Sequence, residues 1–507
     1  MNGNNPYAEV KSNPFAISLA EVPILDYPLF FRLVDAFMAE KGNHCLSYFA
    51  YPFHDRLRMV CCIGLDRSHA IRIFSYEWKA GMDRPPDALT ARHPAFHGFE
   101  RELYENHGVP FTGHPWLKPV RYPADRHHQH EMMGGYPFYT IEGEELHEVG
   151  VGPIHAGVIE PGYFRFICHG ETVFHLEIQL GYQHRGVENA LIEQPGILKR
   201  SVLAESIAGD TAVGHSLANA LLTEALGSKV IGEKLSIERE IALEMERIAV
   251  HIGDMAALCN DVAYQLGQVV NEALRTLVIN TTQRWCGNRF GKGLIRPCGT
   301  RYPLTPAMKN DLLQNLEEVE SRFHQITDRI FSMPSVLGRF EAIGKVTEQQ
   351  ALSIGAVGMA ARSSGLARDT RWSHPTGSRI NNRYEPVVIP SGDVWARARL
   401  RKLEVENSIM MIRELARKWE EAGSMNEPCY TFPFQPETLA VSLTEGWRGE
   451  ICHAAVTGKQ GELLRYKVKD PSFHNWTALA LAVRNQEISD FPLCNKSYNL
   501  SYCGHDL

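Results

Sequence analysis

Short apolar runs dominate the first quarter of the chain, and helical periodicity dominates its second half. Residues 45–51, 57–65 and 70–78 are apolar stretches bounded by turn residues. They predict three strands, the first two joined through residues 54–56. An apolar stripe over residues 29–39 predicts a helix ahead of them. Farther along, Phe174, Leu176, Ile178 and Leu180 alternate with His175, Glu177 and Gln179. That period of two predicts a half-buried strand over 173–182, paired with 163–170 through a turn at Gly170, Glu171 and Thr172. The remainder reads as mostly helical. Ile237, Ile241, Met245, Ile248, Ile252 and Met255 recur at steps of three and four, with Ser236 as the expected N-cap. Val405, Ile409, Ile412, Leu415 and Trp419 mark a later helix expected to run from near Ser391 to Gly423. Such stripes must pack on one another, so the expected class is α+β, with a helical bundle behind a short antiparallel sheet.

Composition narrows the picture. A chain of 507 residues allows two or three domains and a large core. With 52 basic and 59 acidic side chains its formal charge is −7, which argues against nucleic acid as a partner. No apolar run approaches the roughly 20 residues that cross a bilayer, and the first residues lack the pattern of a secretory signal. A cytoplasmic location is expected, with membrane association only through partners. The 11 cysteines form no C-x-x-C pair, so neither a zinc site nor an iron–sulfur cubane is expected in this chain, and the thiols read as reduced. Residues 126–135, RHHQHEMMGG, are polar and end in two glycines, which predicts a solvated linker despite three histidines. The expected organisation is a small α+β domain at 1–125, a linker at 126–150 and an α-rich domain at 151–507 carrying the small sheet.

Two sets of motifs then point to a family. Over residues 99–121, Glu100, Arg101, Glu102, Tyr104, Gly108, Phe111, Gly113, His114, Pro115 and Leu117 match E-R-E-x-Y-D-x-F-G-x-x-F-x-G-H-P-x-L. This segment resembles the 30-kDa subunit of respiratory complex I, with Glu105 and His107 replacing the usual Asp and aromatic residue. GPIHAGVIEPG at 152–162 and GYQHRGVE at 181–188 resemble the opening of the large subunit of energy-converting hydrogenases. These are the group 4 nickel-iron enzymes of the hydrogenase-4 and formate-hydrogenlyase type. Their superfamily includes the 49-kDa, quinone-site subunit of complex I (NADH-quinone oxidoreductase). Segments 243–254, 287–297, 358–371 and 392–408 agree with it in collinear order. The resemblance implies a 30-kDa-like domain fused to a large-subunit domain.

The same resemblance exposes a contradiction. Laid on the first metal motif, E-R-x-C-G-x-C-x-x-x-H, Glu205, Gly209 and His215 fall in place, but Ser206 replaces the arginine and Ala208 and Thr211 replace the cysteines. In the second motif, D-P-C-x-x-C, the cysteine positions hold Ser501 and Gly504, with Cys503 one residue away. These side chains do not substitute for thiolates on a soft metal, so no nickel-iron centre and no directly bound cofactor are expected. On the quinone side, His155 matches the first histidine of G-P-Q-H-P-x-x-H, Ile159 replaces the second, and Glu205 falls near the tyrosine. The resemblance makes Glu188 a proton-passing carboxylate, a task suited to a raised pKa, with an ion pair to Arg185 as the plain structural reading. His215 is either a pocket residue or a hydrogen-bonded core histidine, and Arg185 lies in the motif near a neighbouring iron–sulfur cluster or quinone-like pocket. The segments around His251 and Arg289 read as packing and interface elements. Implied partners are a small subunit with a 4Fe–4S cluster, a ferredoxin-like iron–sulfur subunit and antiporter-like membrane subunits, on the inner face of the cell membrane. Three functions follow from the resemblance: a redox module coupled to ion translocation, a quinone-reducing subunit with altered ligands, or a scaffold that transmits conformational change.

Overall fold

The computed structural model describes residues 5–155, 159–376, 384–423 and 427–507. Among the described residues, helices and three antiparallel-rich sheets build a mixed α+β fold. The predicted meander forms as Asn43–Phe53, Arg56–Leu65 and Ala70–Trp78, with His54 turning the first hairpin at φ 54°. Ala8–Val10 adds an antiparallel edge and Ile24–Leu25 a parallel one. The expected helix is Tyr27–Met38, started by Asp26, whose carboxylate accepts from the Leu29 amide at 2.7 Å. Its Phe30 packs on Phe74 and Tyr76, with ring centroids 5.1 and 4.5 Å apart, which anchors the helix to the sheet.

The hairpin predicted around Gly170 is present as Tyr163–His169 and Thr172–Gln179. Leu146–Val151 pairs with its outer side, so the last residues assigned to a linker are a strand. Its side chains are exposed or half-buried throughout, which leaves no apolar alternation to read. The larger correction is a third sheet in a region read as helical: Thr438–Gly446, Gly449–Thr457 and Leu463–Lys469, with Phe15–Ser18 from the N-terminus on its edge. Both faces of its central strands are covered, and every residue of the first two is buried. A strand covered on both faces has no polar side to alternate with.

Long helices Glu233–Asp261, Gln265–Cys286, Pro306–Ile330 and Val394–Glu421 supply the largest core. Ile237, Ile241, Met245, Ile248, Ile252 and Met255 are all buried there, as their spacing predicts. Gly232, not Ser236, occupies the N-cap of the first of these helices, and Ser236 lies buried inside its first turn. The last begins at Val394, where Asp393 accepts from the Ala396 amide at 2.9 Å, three residues beyond the expected start. No helix among the described residues is long and apolar enough to cross a membrane.

Candidate functional site

Three segments that are distant in sequence meet around the C-terminal helix Tyr502–Asp506 and its flanks: the loop 180–186, the turn 204–211 and the turn 446–449. Asp506 straps the first of these. Its carboxylate accepts from the Gly181 and Gln183 amides, each at 2.8 Å, and the Arg185 amide donates to the Leu507 carbonyl at 2.9 Å. The Arg185 guanidinium then donates to the carbonyls of Ser206 at 2.7 Å and Ile207 at 3.0 Å. Arg185 therefore joins three segments through backbone carbonyls and forms no ion pair with Glu188.

Glu188 opens the short helix Val187–Glu193 and reaches the other way. One oxygen accepts from Arg465 at 2.8 Å, and the other accepts from Lys467 and from the Val468 amide, both at 3.0 Å. Burial alone would raise this carboxyl. Lys467, Arg465 and Arg121 outweigh it and hold Glu188 down at about 2, so the expected raised pKa is corrected to a permanently ionised carboxylate. Lys467 also donates to Glu102 at 2.8 Å, and Glu102 pairs with Arg121, which links the site to the helix His97–His107. A cavity of about 150 Å³ opens beside Glu188, lined by His107, Arg121, His184 and Arg465 among others.

His215 lies in the first turn of helix Ala212–Leu226, fully buried, in a row of titratable groups. Its Nε2 meets Asp470 Oδ2 at 3.0 Å, and its Nδ1 meets His453 Nε2 at 3.2 Å. His453 Nδ1 meets the Tyr466 hydroxyl at 2.8 Å, and Asn219 donates to that hydroxyl at 2.9 Å. With Asn219 donating, one consistent arrangement runs from Tyr466 through the two imidazoles to an ionised Asp470. Burial opposes that ionisation, but His215 and Arg448 hold the Asp470 carboxyl below its usual range. Burial also keeps His453 far below the ordinary histidine range, hence neutral.

The remaining expected site residues are placed less suggestively. Glu205 is buried and accepts from the Gly293 amide and from Arg296, each at 2.6 Å, so it ties the first motif to segment 287–297. His155 lies edge-on to Phe164 with ring centroids 5.5 Å apart, and burial lowers its pKa. Residues 156–158 of the same motif lie outside the described residues. His251 Nε2 donates to Glu404 at 2.7 Å within a buried ionic cluster that includes Arg247 and Arg362. Residues 127–130 place His128 against the Tyr104 ring at 4.4 Å.

Sequence reasoning missed Arg448, Asp470, His453, Tyr466, Arg465 and Lys467. One signal was available: in residues 465–469, Arg465, Lys467 and Lys469 alternate with Tyr466 and Val468, which is strand periodicity with the cations on one face.

Comparison with known proteins agrees with this architecture. Residues 267–439 match the family model described as respiratory-chain NADH dehydrogenase, 49 Kd subunit. The carbon monoxide-induced hydrogenase of Rhodospirillum rubrum is 30% identical over 347 residues, covering 68% of this chain and 95% of that protein. The chain belongs to this hydrogenase and complex I large-subunit family. Hydrogenase-4 component G of Escherichia coli (strain K12) is 25% identical, covering 82% of this chain and 74% of its own length. A chain of the membrane-bound sulfane sulfur reductase, described as an archaeal respiratory membrane complex, shares the fold. Its TM-score is 0.65 at 19% identity, over 73% of this chain and 100% of that one.

The positions that the family resemblance assigns to nickel do not fit that metal. Ala208 is a buried methyl. Thr211 Oγ1 donates to Asp210 at 3.1 Å and accepts from Arg448 at 3.1 Å. Ser501 Oγ caps the last helix by accepting from the Gly504 amide at 2.9 Å. A β-carbon at Gly504 would lie 2.7 Å from the Asp470 carboxylate. The nearby Cys503 thiol is pushed up to about 11 by burial, which leaves it protonated. One thiol among hydroxyls is not a four-thiolate donor set.

Proposed function

We propose that this chain is the large subunit of a membrane-associated, complex-I-like and hydrogenase-4-like oxidoreductase complex, in which it couples electron transfer to ion translocation without a nickel-iron centre. The observation that carries the reading is the collinear likeness to hydrogenase-4 component G over 82% of the chain, together with the strap that holds the GYQHRGVE loop against the C-terminus. In this reading the cluster belongs to a small iron–sulfur subunit docked at that loop, with a ferredoxin-like subunit and antiporter-like membrane subunits completing the assembly on the inner face of the membrane. Arg185 and His155 lie on the side of the partner's cluster. Glu188, His215 and Glu205 are the pocket groups, and Glu188, held ionised by its cations, takes up a proton only if those cations move away from it during turnover. Affinity purification from native membranes tests the reading. Co-purification of a cluster-carrying small subunit and membrane subunits is expected, whereas a monodisperse monomer without partners overturns it.

A second reading, a scaffold that transmits conformational change, is supported by one observation. Glu188 is held by two cations and a backbone amide, an arrangement that fixes a joint and opposes protonation of the carboxylate. Turnover of the assembled complex with Glu188→Asp separates the two readings, because a relay tolerates a shorter carboxylate in part.

A further inference from the structure

Between residues 208–211 and 499–504 the chain places charges that the reading above does not use. Arg448 lies on the turn joining Thr438–Gly446 to Gly449–Thr457. Its position is fixed from behind. Gly449, at φ 140°, packs so closely on Gly358 that a β-carbon on Gly358 would lie 2.0 Å from the Gly449 Cα. The Met359 amide donates to the Arg448 carbonyl at 3.3 Å. The guanidinium faces forward and distributes its donors over two segments. It grips both Asp210 oxygens at 2.6 and 2.7 Å and donates to Thr211 Oγ1 at 3.1 Å, while its Nε donates to the Asn499 carbonyl at 2.5 Å. Trp447, stacked 3.9 Å from the same guanidinium, donates to the Asp210 carbonyl at 2.9 Å. Only 4% of the Arg448 side chain is exposed, against 40% of Asp210. Asn499 is in turn tied to Asp254 at 2.7 Å, and Asp254 to Arg401 at 2.8 Å.

A metal with ligands from two segments ties them together and excludes other groups from its place. Here a planar cation does the tying, since a guanidinium presents five donors in a rigid fork and four of its contacts are made. The anionic place is filled as well. Asp470 occupies the volume that any side chain at 504 would need, and the row of His215, His453 and Tyr466 behind it fixes its orientation. Ser472 accepts from the Ser501 amide at 2.9 Å and its own amide donates to Asp470 at 2.8 Å, which locks the C-terminal segment onto the same carboxylate.

We propose that Arg448 is the protein's own cation in this pocket, cross-linking the two segments that the family resemblance assigns to metal ligands, and that Asp470 closes the space at 504 against any metal. Arg448 is thus a positioning residue for the C-terminal segment, independent of what reaction the assembled complex performs.

Hydrogen–deuterium exchange on the full chain, with its partners where these co-purify, tests this. Arg448→Gln is expected to raise exchange at 208–214 and 499–506 by about tenfold or more, leaving the bundle helices unchanged. Arg448→Lys, which keeps the charge but loses the fork, should give the same pattern at reduced size. If Arg448→Gln does not fold, Asp210→Asn removes half of the grip on a half-exposed residue and should raise exchange in the same two segments. Nickel(II) or a chelator added to the unaltered chain should leave both the exchange and the unfolding midpoint where they were. Unchanged exchange in the variants that fold overturns the proposal, as does an upward shift of the midpoint by nickel(II).

Discussion

Glu188 shows what one carboxylate does when three cations surround it. Replacing it with Gln leaves Arg465 without its anion and Lys467 with Glu102 alone, so Glu188→Gln should destabilise the chain by about 3 kcal/mol in urea unfolding at neutral pH. The pH dependence has a definite sign. A carboxyl held at about 2, against an ordinary 4.5, contributes stability that is complete above 4.5 and is lost as pH falls towards 2. Glu188→Gln should therefore flatten the stability curve between those values. A variant whose acid limb matches the unaltered chain would refute the ion-pair assignment. A separate loss should begin higher and persist in the variant. Burial keeps His453 and His97 neutral in the fold, the latter at about 3, so protonation of the unfolded chain costs stability as pH drops below about 6.5. At this scale the motif positions of Glu188 and His215 were legible, but their partners were not. Arg465 lies 277 residues beyond Glu188 and Asp470 lies 255 beyond His215, and no local spacing encodes such pairings.

Elements were legible where one face meets water. The hairpin at Gly170 and the helix Val394–Glu421 carry that asymmetry, whereas the meander, buried on both faces, was legible from apolar runs between turn residues and the helix Glu233–Asp261 from its apolar spacing; the boundaries fall within a few residues of the expected ones. The first two strands of the sheet at residues 438–469 are wholly buried and carried no such asymmetry, and only the alternation at 465–469 marked the third. Its attachment can be tested at the contact between Gly358 and Gly449. Gly358, at φ 59°, has no room for a β-carbon, so Gly358→Ala should cost about 3 kcal/mol or more, combining backbone strain with overpacking. Gly338 provides the control. It lies within the helix Pro334–Phe340 with nothing inside 4 Å of its would-be β-carbon, so Gly338→Ala should stabilise by about 0.5–1 kcal/mol. Equal unfolding midpoints for the two variants would contradict the close approach.

At the scale of the whole molecule, the chain ties its two ends together across the segment that composition marks as a linker. Phe15–Ser18 forms the edge of the C-terminal sheet, and Asn13 exchanges hydrogen bonds with the Leu443 backbone at 2.9 Å in both directions. Phe473, from the far end of the sequence, sits in the aromatic core of the first sheet with its ring 5.0 Å from Phe99. His44 meets Glu450 at 2.9 Å, and Lys467 meets Glu102 at 2.8 Å, so buried charges cross the same boundary. Each half therefore supplies core and counter-charge to the other, and neither can leave without exposing both. Cleavage at the exposed Gly134–Gly135 should leave a nicked protein that still elutes as one species, because few of these contacts depend on chain continuity there. Residues 1–125 produced alone should aggregate or lack a cooperative unfolding transition, with an apolar strand edge and an aromatic core both uncovered. Co-expression with residues 136–507 should recover a stable pair. A soluble 1–125 fragment with cooperative unfolding would show instead that the N-terminal part is an autonomous module merely tethered to the rest, and the ion pairs across the boundary would then count as docking contacts between two finished domains.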